Sequence, residues 1–265
     1  MVENKYFVTD SHCHIYPEKI ASRAVAGTDN FYHEHSVGSG TVEDLIAMGD
    51  KAGIDRYIVQ SVATTPHQVK SINEFIAGEV KKHPHKLVGL GTLHPDSEDI
   101  KHLMSLGLRG VKLHPDIQAF KIDDYRCLKI YELCEENRLP ILMHTGDSRY
   151  DYSNPNRLLP VLKIYTELTV IGAHFGGWSI WEEASKKLCG TPNLYVDCSS
   201  AFPYLKKETA KEIIRRYGAD RVLFGSDYPM WSPENELNYL LSLDLDENEI
   251  KSILNINTCK IFNLE

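Results

Sequence analysis

Histidine residues and one aspartate recur at the same kind of position in this sequence. His12 and His14 follow the first apolar segment, His144 and His174 end two later ones, and Asp227 comes directly after the last. Imidazole nitrogens and a carboxylate are ligands that divalent ions accept in proteins, and affinity alone does not select among those ions. The sequence therefore predicts a divalent metal centre, with zinc as the expected ion and manganese or iron as alternatives.

The spacing of the first two histidines supports the same prediction. Residues two apart on a strand project to one face, so His12 and His14 point the same way. A His-x-His pair alone is weak evidence, because such pairs also occur on surfaces. A bound ion lowers the pKa of its water to about 7 and polarises a substrate oxygen. Asp227 is then predicted to be both ligand and general base, and His174 to orient the water or stabilise negative charge.

Eight short apolar segments alternate with segments whose apolar residues recur every three or four positions. Nearly continuous apolar runs are typical of parallel strands covered on both faces. Eight such units in 265 residues predict a single-domain (β/α)₈ TIM barrel over residues 1–265. A doubly wound sheet is disfavoured because the first turn, DSHCHIYP, is not glycine-rich. The predicted strands are Tyr6–Thr9, Arg56–Val62, Lys86–Leu93, Leu108–Leu113, Leu139–His144, Leu168–Ala173, Asn193–Cys198 and Arg221–Gly225.

A parallel barrel brings the carboxyl ends of all its strands to one mouth, where active sites of this architecture are assembled. The histidines and Asp227 are therefore expected to converge. Residues 17–40, rich in charge and histidine, are predicted to form an irregular active-site loop insertion. Aromatic side chains after the strands suit a planar ligand, although about half of them are expected to pack loops together. They are Tyr16, Trp178, Trp181, Phe202, Tyr204, Tyr228 and Trp231.

Three further residues are candidates for binding substrate. Lys112 and His114 lie two apart, hence on one side of the fourth strand. Arg149 follows His144 and can clamp a carboxylate through two parallel hydrogen bonds. Pairing of Arg149 with Asp147 or Asp151 in a structural role is the alternative. Of the other histidines, His94 is assigned to a strand-end turn, and His33 and His35 to the first loop. The remaining four are assigned to the surface: His67, His83, His85 and His102.

The composition excludes several classes of partner. There are 29 basic and 37 acidic residues, a formal charge of −8, and the cations are scattered. No nucleic-acid partner is therefore expected. No apolar run reaches the ~18 residues of a membrane span, and no leader pattern opens the chain. These features predict a cytoplasmic protein with no membrane association, acting on a small-molecule substrate.

Six segments, in order along almost the whole chain, resemble the amidohydrolase superfamily. Within it they are most similar to the branch that includes aminocarboxymuconate semialdehyde decarboxylase and related decarboxylases, lactonases and hydrolases. The resemblance implies that one metal ion is bound by four residues, His12, His14, His144 and Asp227, with His174 catalytic beside the water. A homodimer is plausible for this branch. The segments are DSHCH (10–14), GVKLHP (110–115), PILMHTGD (140–147), IGAHFGG (171–177), GSDYP (225–229) and ILNINTCKIFNL (253–264).

Lys112 decides the expected number of ions. Superfamily members with two metals carry a carbamylated lysine at the end of the fourth strand, and GVKLHPD resembles that segment in urease. A carbamate on Lys112 would recruit His174 as a ligand of a second ion. The one-metal branch needs no such group, so Lys112 then contacts substrate or neutralises nearby carboxylates. A single ion is the favoured prediction.

The favoured function is hydrolysis of a small organic substrate, a lactone, amide or related carbonyl, by metal-activated water. The alternative is non-oxidative decarboxylation of an unsaturated or aromatic carboxylic acid on the same metal site. Decarboxylation requires a group that holds the carboxylate, for which Arg149 and Lys112 are the candidates. A catalytically inactive metal-binding module is a third possibility, disfavoured because the ligand set is intact.

Overall fold

All paired β-strands of the protein run parallel. The computed structural model describes residues 5–265. Strands β1 to β3 pair in one run and β4 to β9 in a second, each in sequence order. They are β1 Thr9–His14, β2 Arg56–Gln60, β3 Leu87–Gly89, β4 Gly91–Thr92, β5 Val111–Leu113, β6 Ile141–Met143, β7 Val170–Gly172, β8 Leu194–Asp197 and β9 Val222–Leu223.

Backbone hydrogen bonds join the two runs into a closed barrel. Strands β3 and β4 are one strand interrupted at Leu90, whose N–H donates to Val59 O at 2.9 Å. Where the last strand meets the first, Ser11 N–H donates to Phe224 O at 2.8 Å, so β1 lies beside the end of β9. With helices between successive strands, this arrangement is a (β/α)₈ barrel, and the predicted fold is confirmed.

Helices follow the strands as the amphipathic periodicity predicts. Five of the predicted periodic segments form α2 Val42–Ala52, α3 Val69–Lys82, α6 Tyr125–Glu136, α7 Pro155–Ile164 and α9 Lys207–Tyr217. Thr41 begins α2 by accepting a hydrogen bond from Asp44 N. The helices are α1 Glu18–Tyr32, α2 Val42–Ala52, α3 Val69–Lys82, α4 Ile100–Ser105, α5 Pro115–Gln118, α6 Tyr125–Glu136, α7 Pro155–Ile164, α8 Trp181–Leu188, α9 Lys207–Tyr217, α10 Pro233–Leu241, α11 Glu247–Lys251 and α12 Asn257–Phe262.

Strand register sets which side chains face the barrel interior. Lys112 pairs with Leu142, and Leu142 pairs with Ile171, so these three lie at one level. Leu142 and Ile171 belong to the small apolar cluster inside the barrel. Because side chains two apart share a face, His114 and His144 also point inward, one step nearer the mouth. The barrel interior therefore carries apolar side chains at the level of Leu142 and Ile171, and polar side chains one step nearer the mouth.

Two local predictions differ from the structure. The first strand is Thr9–His14 and not Tyr6–Thr9. Most of its residues are polar and buried, Asp10 and His12 completely, so a search for apolar runs misses it. Residues 17–40 are not irregular, because Glu18–Tyr32 forms α1. Whether that segment is an insertion stays a prediction.

Within residues 5–265, no helix combines the length and apolar character that crossing a bilayer requires.

Candidate metal centre

Three potential ligand atoms converge at the mouth of the barrel. His12 Nε2 lies 3.3 Å from His14 Nε2 and 3.3 Å from Asp227 Oδ1. His14 Nε2 lies 3.6 Å from the same carboxylate oxygen. Ligand atoms about 2.1 Å from a tetrahedral ion are about 3.4 Å apart. The spacing of His12, His14 and Asp227 therefore fits a divalent cation, as predicted from their positions in the sequence.

Asp197 at the end of β8 fixes the orientation of this cluster. His12 Nδ1 lies 2.9 Å from Asp197 Oδ2, so the ring donates from Nδ1 and keeps a lone pair on Nε2, as a metal ligand must. The other oxygen, Oδ1, accepts from His174 N–H at 3.1 Å and Ser199 N–H at 3.0 Å. Asp197 is completely buried. Asp197 was not predicted, although it lies near the end of the predicted strand Asn193–Cys198.

His174 lies between His12 and His144. Its ring stacks on His12 with centroids 5.2 Å apart, and its Nε2 is 3.1 Å from His144 Nδ1. Its Nδ1 is 3.0 Å from Ser199 O, so that nitrogen carries the hydrogen. Burial lowers the pKa of His174 to about 4. A neutral imidazole therefore stands beside the centre, where the sequence analysis placed a catalytic residue.

His144 reaches the same histidine cluster from β6, but its nearest ring nitrogen partner is His174. Its other nitrogen, Nε2, lies 3.4 Å from Asp116 Oδ2. The ring of His114 stacks on His144 at a centroid distance of 3.9 Å. These three buried residues, His114, Asp116 and His144, form a second group with ligand-like spacing. The role of His144 as fourth ligand of the first centre stays a prediction.

Lys112 places a buried cation against the centre. Its Nζ donates to His12 Nε2 at 3.0 Å, and its side chain is fully buried. Burial lowers the pKa of Lys112 to about 8, against the attraction of Asp227 and Asp197. Burial also raises the pKa of Asp227 to about 7, although Ser200 Oγ donates to its Oδ2 at 2.5 Å. A cationic and an acidic group thus share one water-poor site.

Arg149 pairs with Asp147 in the structure. Its Nε donates to Asp147 Oδ1 at 3.0 Å and its Nη2 to Oδ2 at 2.8 Å. Its Nη1 donates to the backbone oxygen of Phe31 at 2.6 Å. Arg149 is not among the residues that line the cavity. In the structure Arg149 therefore makes the alternative contact, the pairing with Asp147, and its role as a substrate clamp stays a prediction.

A cavity of about 810 Å³ opens above His12, His14 and Asp227, which together are called the metal-ligand cluster. Of the seven predicted aromatic residues only Tyr16 is among the described residues that line it. Trp181 and Tyr204 stack on each other instead, with centroids 5.6 Å apart. Tyr32 of α1 was not predicted, yet its hydroxyl lies 2.7 Å from His114 Nε2. The cavity is lined at its polar end by His12, His14, Tyr32, Lys112, His114, His144, His174 and Asp227.

Comparison with protein families identifies the class. Residues 9–264 match the family described as amidohydrolase, so the chain belongs to that family, as the motifs predict. No curated protein sequence matches the chain.

Solved structures with the same fold include an uncharacterized TIM-barrel protein from Bordetella bronchiseptica, with a TM-score of 0.81, 22% identity and coverage of 97% of this chain and 98% of that one. The 5-carboxyvanillate decarboxylase of Sphingomonas paucimobilis has a TM-score of 0.77 and 13% identity, with 98% and 100% coverage. The dihydroxybenzoic acid decarboxylase of Polaromonas sp. JS666, solved with bound manganese and the inhibitor 2-nitroresorcinol, has a TM-score of 0.74 and 17% identity, with 97% coverage of both chains.

These comparisons contradict the favoured prediction of hydrolysis. Two of the solved structures described above are named as decarboxylases of aromatic acids, the 5-carboxyvanillate and dihydroxybenzoic acid enzymes. The same residues of this chain were assigned to both reactions, so the motifs alone did not separate them. The alternative function is therefore the one that the findings favour.

Proposed function

We propose that this protein is a metal-dependent, non-oxidative decarboxylase of an aromatic or unsaturated carboxylic acid. The observation that carries the proposal is the buried ammonium of Lys112, which lines the cavity directly beside His12. A buried cation without a fixed carboxylate partner favours an anionic ligand, because burying a charge is costly unless it is paired. The aromatic-acid decarboxylases among the structural neighbours support the same reaction.

One divalent ion is proposed at His12, His14 and Asp227. When bound, such an ion supplies positive charge that orients the acid and stabilises negative charge on the substrate. Manganese, found in the Polaromonas enzyme, is favoured over the predicted zinc. Asp197 holds His12 in the orientation that binding requires.

The residues of the cavity supply the remaining steps. Lys112 holds the carboxylate, while the neutral ring of His174 packs on His12 and keeps that side of the site in place. Asp227 donates a proton to the carbon that carries the carboxylate. The bond to the carboxyl carbon then breaks, its electron pair returns to the ring or double bond, and carbon dioxide leaves. Asp227 then takes a proton from solvent, so the net reaction converts the carboxylate and one proton into the product and carbon dioxide.

Release of carbon dioxide tests the proposal. The protein is loaded with manganese and incubated separately with hydroxybenzoic acids, other unsaturated acids, and a parallel set of lactones and amides. We expect carbon dioxide from at least one acid and no hydrolysis of the parallel set. Hydrolysis without carbon dioxide release, or no release from any acid, would contradict the proposal.

The metal content separates the one-ion and two-ion arrangements. Elemental mass spectrometry of protein purified without chelator is expected to give about one divalent ion per chain. About two ions would instead indicate a carbamylated Lys112. A small organic acid is the proposed partner; the cytoplasmic location, the homodimer and the lack of a nucleic-acid partner stay predictions.

A further inference from the structure

Helix α1 presents one continuous face to the cavity. Its lining residues recur every three or four positions, from Lys19 near its start to Tyr32 at its end. At about 1.5 Å per residue, these two positions lie about 20 Å apart along the helix axis. Tyr32 contacts the histidine cluster through His114, whereas Lys19 does not belong to that cluster. The cavity therefore continues well beyond the metal-ligand residues.

The walls of this outer part carry apolar side chains beside polar ones such as Gln68 and Ser71. Ile20 and Ala24 contribute from α1, and Ile72 and Phe75 contribute from α3. Apolar side chains on two facing walls favour an apolar segment of a ligand, because its burial removes apolar area from water.

Two cations stand on the same face of α1. Lys19 and Arg23 are one helical turn apart, line the cavity, and have no ion-pair partner within residues 5–265. Asp227, at the metal-ligand cluster, is the one acidic residue among the described lining residues. The chain as a whole carries a charge of −8, so this outer region reverses the sign locally. Such a reversal attracts an anionic group.

The volume of the cavity exceeds what a one-ring acid needs. Such an acid has about a dozen non-hydrogen atoms, and even at the roughly 30 Å³ that one water molecule takes in the liquid they would occupy about 360 Å³. The cavity measures about 810 Å³. More than half of it is therefore left for another part of the ligand.

We infer that the substrate is an elongated acid with three parts: an aromatic or unsaturated carboxylate head at the metal-ligand cluster, an apolar chain between α1 and α3, and a second anionic group at Lys19 and Arg23. The inference rests on the proposed function for the head. The positions of the chain and of the second anionic group rest on the cavity itself.

Binding of salicylate derivatives to the manganese-loaded protein tests this inference. The probes carry a linear alkyl chain of roughly two or roughly ten carbons, ending in a methyl group or in a carboxylate. We expect the long carboxylate-terminated probe to bind at least about tenfold more tightly in calorimetry than the short probe and than the long methyl-terminated one.

Two variants locate the chain and the anionic group. The double variant Lys19→Gln, Arg23→Gln is expected to remove the advantage of the terminal carboxylate, about tenfold. Gly27→Leu fills the cavity from α1, because a Cβ built on Gly27 meets nothing within 4 Å, and it is expected to remove the advantage of the long chain. Gly78→Leu on α3, where a Cβ also meets nothing within 4 Å, and Lys81→Gln are matched controls outside the cavity lining.

Affinity that is independent of chain length, or a carboxylate advantage that survives in the double variant, would overturn the inference. These outcomes are separate from the fate of the proposed reaction. A protein that releases no carbon dioxide from any acid but binds the long carboxylate probe in this pattern contradicts the reaction and supports the elongated ligand. Normal decarboxylation of one-ring acids with no chain effect does the reverse.

Discussion

The metal-ligand cluster and the face of helix α1 that lines the outer cavity are two parts of one cavity. They differ in burial and in hydrogen bonding. At the cluster, His12 and Asp197 are completely buried and joined by hydrogen bonds to neighbouring strands. On the wall, Lys19 and Arg23 are exposed and unpaired within the described chain. Rigid strands thus hold the groups that must be positioned accurately for chemistry, while a helix after β1 presents the groups that select the substrate. The difference separates the groups proposed for the reaction from those proposed to select the substrate.

Asp227→Asn is expected to have the largest effect. An amide cannot donate the proton that the proposed reaction requires, so kcat/KM should fall by about 10²–10⁴-fold. Initial rates of carbon dioxide release measure the change. Asp244→Asn, at a carboxylate whose side chain is 99% exposed, is the matched control and should leave the rate unchanged. A rate within threefold of wild type in Asp227→Asn would remove Asp227 from the chemistry.

Asp197→Asn is expected to weaken metal binding. Loss of the carboxylate that orients a ligating histidine costs about 10–100-fold in metal affinity. Equilibrium dialysis against manganese measures this affinity, and a thermal melt reports whether the variant is folded. Ser199→Ala, which keeps the carboxylate but removes a neighbouring hydroxyl, should have a smaller effect. Equal affinities in wild type and Asp197→Asn would show that His12 does not depend on this contact.

Lys112→Met tests whether the buried ammonium holds the carboxylate. Methionine keeps much of the length but removes the charge, so KM for the acid should rise by about tenfold. Lys163→Met, at an exposed lysine of α7, is the control. An unchanged KM would leave Lys112 with the role of balancing the charges of Asp227 and Asp197.

Tyr32→Phe is expected to have the smallest effect and to sharpen the boundary between the two regions. It removes the hydroxyl that lies 2.7 Å from His114 Nε2, a contact worth about 0.5–1.5 kcal/mol. We expect kcat/KM to fall about 2–10-fold. The control is Tyr125→Phe, because Tyr125 is 80% exposed. A loss of a hundredfold or more would place α1 within the reacting centre and break the distinction drawn above.

The barrel and the ligand cluster could be predicted because both leave a local signal. Apart from β1, the buried parallel strands are mostly apolar, and His144, His174 and Asp227 come after the ends of such strands. The amidohydrolase family was identified from the same segments. The strand register of the structure places Lys112 inside the barrel, because Lys112 pairs with the inward-facing Leu142.

Other features depend on contacts that no local pattern encodes. Arg149 follows His144 in the sequence, yet Asp147 two residues earlier captures its guanidinium. Tyr32 approaches His114 from a position 82 residues away in the chain, through a helix that was not predicted. The prediction that favoured hydrolysis over decarboxylation was also wrong, since the same residues were assigned to both reactions.

The most direct test of the account is decarboxylation in D₂O by the manganese-loaded protein, with a carboxyl-¹³C-labelled acid that the panel identifies. The account predicts one labelled carbon dioxide for each product molecule and a single deuterium at the carbon that carried the carboxylate, both lost in Asp227→Asn. Labelled carbon retained in the product, or deuterium incorporation that persists at the wild-type rate in Asp227→Asn, would contradict it.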